Sequence, residues 1–219
     1  MSAADDLTLD QLRLALAPKI AAAAAFDGWS GEALANAARE LGADPDVAAY
    51  AFKGGQMAMI SAWIANVDAL MEAEYASDAL SDLPVRERIR RLVLFRLECA
   101  AGLGEALRRA HAIMAMPQNA ARSLKLGWHS ADRMWRLAGD TATDYNHYTK
   151  RAILAGVYAT TLAVFVDDES EEKAETRAFL DRRIDGVMRF EKAKARLLRP
   201  PEDRFSMARF LGRLRYPAN

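Results

Sequence analysis

Around the boundary between two predicted helices the chain gathers Asp140, Asp144, Tyr145, Asn146, His147, Tyr148, Lys150 and Arg151, its most distinctive polar cluster. His147 beside Asp144 or Asp140 has the residue types of a general base and its orienting carboxylate. At i and i+3 near a helix start, however, such a pair more often caps the helix, and Asp144 suits the orphan amides of a first turn. Cys99 lies in an apolar helical stretch, where a buried structural thiol is the ordinary outcome. The chain holds no Glu-x-x-His pair, Walker loop or GxGxxG. With three histidines (His111, His129, His147) and one cysteine it offers little for a metal centre. The expectation is a protein without catalytic residues, metal or cofactor. The cluster, with Trp135, instead suits a partner-binding patch, since interface cores favour Trp, Tyr and Arg.

The elements that must position these groups are helical. The 219 residues are 52% hydrophobic and 27% charged, with 12 Gly and 7 Pro, enough for one core or an internal cavity. No period-2 strand pattern appears, and the prediction is an all-α protein. Helices are expected over 9–24, 31–41, 45–52, 56–73, 84–116, 120–137, 144–166 and 171–198, with Pro200-Pro201 separating a last segment, 202–216. The longest uncharged runs, Gly54 to Val67 and Ala152 to Val166, fall short of the ~18–20 residues of a spanning helix. The opening Met-Ser-Ala-Ala-Asp-Asp lacks the basic start and apolar stretch of a secretory signal. A cytoplasmic protein that can rest on a membrane but does not cross one is expected.

The formal charge is zero, 30 basic against 30 acidic residues, but it is unevenly spread. Residues 1–80 hold 12 acids and 4 bases, and residues 189–219 hold 9 bases and 3 acids. Residues 29–55 have the spacing of a helix-turn-helix, with Gly42 at the turn. Its second helix presents Asp44, Asp46 and Tyr50 where a DNA reader needs cations, so an αα-corner without a nucleic-acid role is favoured. At the other end Met207, Phe210, Leu211 and Leu214 form one apolar stripe, with Arg209 and Arg213 on the opposite side. Such a helix either docks on the body or lies in an anionic membrane interface.

The segment Met116 to Phe190 resembles the Coq nine family of ubiquinone-biosynthesis accessory proteins. The resemblance rests on MPQN at 116–119, MWRLAGD at 134–140, TDYNHYTKRAILAGVY at 143–158 and FLDRRID at 179–185. It extends more weakly through GWSGEALANAARELG at 28–42. It implies a TetR-like fold: a helix-turn-helix-like head (1–55) that no longer reads DNA, a helical lipid-binding body (56–199) and an amphipathic membrane-contacting tail (200–219).

The same resemblance implies the partners: an isoprenoid quinone intermediate or phospholipid, the di-iron hydroxylase acting on demethoxyubiquinone, a membrane surface and a second copy of the chain. The expected hydroxylase patch is Met116, Trp135, Asp140, Tyr145 and Tyr148. The expected cavity residues are Met57, Ile60, Ile64, Leu92, Phe95, Leu154, Tyr158 and Leu162, although core packing explains their apolar faces equally well. The membrane residues are Met207, Arg209, Phe210, Leu211, Arg213 and Leu214. The reading from another class is a TetR-type ligand-responsive repressor.

Overall fold

The computed structural model describes residues 6–76, 79–141 and 145–198, with the side chains at 145 and 190–198 outside that description. The expected tail, including Met207, Arg209, Phe210, Leu211, Arg213 and Leu214, lies outside the described residues. Contacts divide the chain into two units, Met1–Asp181 and Arg182–Asn219.

Among the described residues the regular structure is helical: α1 (Leu9–Asp27), α2 (Gly31–Leu41), α3 (Pro45–Ala51), α4 (Gln56–Glu74), α5 (Val85–Glu98), α6 (Gly104–Met114), α7 (Ala120–Leu137), α8 (Tyr145–Asp167) and α9 (Ala174–Leu198). The N-termini of the first three helices are sealed by their own sequence. Thr8 and Gln11 form a reciprocal capping box on α1, the Ser30 hydroxyl accepts from the Ala33 amide, and Asp44 accepts from the Asp46 and Val47 amides. Gly42, at φ 70°, closes α2 in the left-handed conformation.

α1 continues past Pro18, which has no N–H to give the carbonyl of Leu14. The Asn66 side-chain amide, reaching across from α4, donates to that carbonyl at 3.3 Å. An interior proline is thus tolerated because a second helix supplies the missing donor. α1 packs against α2, α3, α4 and α6, and Trp29 donates to the Ala106 carbonyl at 2.9 Å while its ring sits 5.6 Å from that of Trp63. The helix-turn-helix-like head therefore shares its core with the body rather than standing apart from it.

Two expectations change. The single helix expected over 84–116 is two, because the chain turns through Cys99–Leu103 with Gly102 at φ 78°. The alanines there suit a helix, but the chain turns, and Gly102 takes the left-handed conformation at the turn without strain. Further, α8 does reach the length and apolarity of a membrane span over Asn146–Asp167, once two flanking cations are allowed. One face of it packs against α5, α6 and α7 and buries Leu154, Val157, Thr161, Leu162 and Phe165.

Candidate functional site: an apolar cavity and a helix junction

Helices α4 to α8 enclose a cavity of about 760 Å³, within the range of small-molecule sites. α4 contributes Ile60, Trp63, Ile64 and Val67; α6 contributes Leu107, His111 and Met114; α7 adds Leu124 and Trp128. The space exists because many wall positions are truncated: Ala110, Ala115, Gly127, Ala155, Gly156 and Ala159 all line it. A Cβ built at Gly127 or Gly156 meets nothing within 4 Å. Leu124, Gly156 and Ala159 are also solvent-exposed, so the cavity reaches the surface along α7 and α8.

The wall is almost wholly apolar, with one polar group of charged side chains. Arg96 of α5, 2% exposed, pairs with Asp68 of α4, and its Nη2 donates to the Ser130 hydroxyl at 3.1 Å. Its guanidinium carbon stands 4.9 Å from the centroid of the Tyr158 ring. Burial opposes the charge on Arg96, but Tyr158 and Asp68 outweigh it and raise the guanidinium above its ordinary value. Burial alone lowers the His111 imidazole, which favours the neutral form at the wall.

Of the eight residues expected at a lipid site, Ile60, Ile64, Tyr158 and Leu162 line this cavity. Met57, Leu92 and Leu154 do not; they are buried in the helix-packing core. Phe95 does not either, its ring meeting Tyr75 edge-on at 5.6 Å. Apolar periodicity marks the inward face of a helix but does not say which part of that face meets empty space. Trp63, Trp128 and Met114 escape the sequence for the same reason, and Arg96 because a cation in an arginine-rich stretch gives no sign of burial.

The α7–α8 junction is built on a buried cation. Arg151 of α8, 2% exposed, bonds Asp132 at 2.5 Å and Asp140 at 3.0 Å, and Lys150 bonds Asp140 at 2.7 Å. Burial would raise both aspartates; hydrogen bonds from Arg151, joined at Asp140 by one from Lys150, outweigh it and hold both carboxyls below the usual range. Trp135 donates its indole N–H to the Lys150 carbonyl at 2.9 Å, with the Lys150 ammonium 5.3 Å from the ring centroid.

Two residues expected on the partner patch are therefore tied inward. The Asp140 carboxylate, 5% exposed, is consumed by Lys150 and Arg151, and the Trp135 N–H by the backbone. Tyr148 is 61% exposed, its ring beside Trp128 (6.0 Å) and His147 (5.1 Å), and Met116 is 40% exposed on the turn before α7. Tyr145 starts α8, and its side chain lies outside the described residues. Among the described residues no group of three or more His, Cys, Asp or Glu is arranged to hold a metal ion.

Residues 120–191, which carry α7, α8 and most of α9, match the COQ9 family model. Curated relatives include the mitochondrial ubiquinone biosynthesis protein COQ9 of Rattus norvegicus, 35% identical over 74% of this chain and 54% of its own length. The Homo sapiens protein of the same name is 32% identical over 74% of this chain and 52% of its own length. The chain thus spans about half the length of the curated relatives it matches. Among solved structures, a TetR transcriptional regulator from Nitrosomonas europaea superposes with a TM-score of 0.64, covering 81% of this chain and 98% of its own at 23% identity. That likeness shows the fold to be TetR-like and all-α. Residues 120–191 thus match the COQ9 family model, and the chain is similar over about three quarters of its length to the COQ9 proteins.

Proposed function

We propose that this chain is a non-enzymatic accessory protein of ubiquinone biosynthesis. It shelters an isoprenoid quinone intermediate in the cavity and presents it at a membrane surface to the di-iron hydroxylase acting on demethoxyubiquinone. The observation that carries the reading is the apolar 760 Å³ cavity, walled in part by α7 and α8 of the segment that matches the COQ9 family model. Exposing a polyprenyl tail to water costs ~0.8 kcal/mol per CH₂, so a cavity walled by α4, α6, α7 and α8 offsets the cost of lifting it from the bilayer. Exposed Tyr148 and Met116 are the proposed contacts for the hydroxylase, with Trp135 and Asp140 holding the junction in shape. The relatives' names place them in mitochondria. A peripheral inner-membrane setting, contact through the 200–219 tail and pairing of two copies belong to the same proposal.

Reconstitution tests it. Adding the chain to the hydroxylase and substrate-loaded vesicles is expected to raise turnover, while the chain alone turns over nothing; unchanged turnover contradicts the reading. The TetR-like fold keeps one rival in view, a ligand-responsive repressor. Its reading helix would be α3, which opens on Asp44 and Asp46 and exposes Val47 and Tyr50. Those acids repel phosphate, and a gel-shift with the upstream DNA of the chain's own gene is expected to show no salt-sensitive complex.

A further inference from the structure

The cavity's one charged group is also its one unfinished one. Arg96 is 2% exposed, lines the cavity with Ser130 and Tyr158, and places four of its five N–H donors on the two terminal nitrogens. Nη1 serves Asp68 and Nη2 serves Ser130, whose hydroxyl in turn donates to Asp68 at 3.4 Å. The third nitrogen, Nε, is buried and has no hydrogen-bond partner. Among the described side chains it is the sole buried nitrogen or oxygen in that condition. Leaving such a donor unpaired costs about 1–3 kcal/mol, and an all-apolar wall would serve a bare hydrocarbon tail without that cost.

We propose that Arg96 is the polar anchor of the cavity: a neutral acceptor oxygen on the head of the bound amphipath takes the Arg96 Nε–H, beside the Tyr158 ring, while the tail fills the apolar space. This deepens the proposed function and rests on the reading of the cavity as a lipid site. The neutrality of the head follows from charge. Arg96 is already opposed by Asp68, and Arg133, 3.7 Å from Asp68, is opposed by Glu72 at 3.0 Å. Two cations meet two carboxylates, so no excess positive charge is left for a phosphate. A ring carbonyl or hydroxyl matches a single N–H donor flanked by an aromatic face, whereas a phosphate brings a charge that this wall does not balance.

Three ten-carbon probes separate the possibilities by quenching of Trp63 and Trp128, both in the wall: decyl-benzoquinone, n-decyl phosphate and decylbenzene. The wild-type chain is expected to bind the quinone about tenfold more tightly than decylbenzene, the effect of one hydrogen bond recovered in a dry site, with the phosphate no tighter than decylbenzene. Arg96→Lys keeps a cation opposite Asp68 and removes the Nε donor. Asp68→Leu/Arg96→Met removes both charges, a replacement that buried pairs often tolerate.

Both variants are expected to lose the preference for the quinone while still binding decylbenzene, with melting curves confirming a folded chain. A preference that survives in either folded variant overturns the anchor, as does wild-type binding in which quinone and decylbenzene are equal or phosphate is tightest. Failure of the wild type to bind any probe overturns the lipid-cavity reading itself, and the anchor with it.

Discussion

The indole N–H of Trp135 is bonded to the backbone carbonyl of Lys150, which joins the C-terminal end of α7 to the first turns of α8. Trp135 is therefore a strut behind the proposed hydroxylase patch. Trp135→Phe keeps the ring and loses this bond, and is expected to lower stability by about 1 kcal/mol in urea unfolding. Tyr148→Ala, at an exposed ring, is expected to leave stability within about 0.5 kcal/mol of wild type while reducing co-purification with the hydroxylase several-fold. Undiminished capture by Tyr148→Ala removes Tyr148 from the patch.

The proline inside α1 makes a coupled prediction. With Pro18 present, Asn66→Ala orphans the Leu14 carbonyl and is expected to cost about 1 kcal/mol. In a Pro18→Ala background the restored amide takes that carbonyl, and Asn66→Ala is expected to cost clearly less. A double-mutant cycle by chemical denaturation reads the difference; additive effects contradict the compensation.

Acid should loosen the α7–α8 junction. Asp132 and Asp140 are held below their ordinary values in the folded chain, so the unfolded chain binds more protons. Their contribution is full above the unfolded value of about 3.9 and is lost as pH falls through the lowered folded values. Stability measured downward from pH 5 is expected to fall steeply below pH ~4. Asp140→Asn should cost roughly 2 kcal/mol at neutral pH and flatten that limb. Part of the slope is expected to remain, because Asp168, bonded by Ser170 and Thr176, is also held far below its usual range.

The basic tail predicts salt-dependent membrane contact. Residues 200–219 carry Arg204, Arg209, Arg213 and Arg215 around an apolar stripe, and charge attraction to anionic lipid is screened by salt. Deleting 200–219 is expected to weaken flotation with anionic vesicles at low salt several-fold. Equal flotation assigns the tail to docking on the protein instead.

Much of the helical order can be read from the chain alone. Ser30, Asp44, Pro45 and Gly42 mark α2 and α3 because caps and stops are local chemistry. The turn at Cys99–Leu103 could not be read in that way, since Ala100 and Ala101 favour helix. The cavity was half legible. Ile60, Ile64, Tyr158 and Leu162 follow from periodicity, but the empty volume is made by what is absent at Gly127, Ala155 and Ala159. Asp140 read as a surface group because its neighbours are polar; its partner Arg151 is among the best-buried side chains in the described structure.

Solvent extraction of the purified chain, with the extract analysed by mass spectrometry, addresses the sheltering of a lipid most directly. Gly127→Leu supplies the control: it fills open space in the wall and replaces a helical glycine, which is expected to raise stability by up to about 1 kcal/mol. The wild-type chain is expected to yield an isoprenoid quinone intermediate, and Gly127→Leu several-fold less from an equally folded sample. A wild-type extract without quinone, or equal yields from the two proteins, contradicts the account.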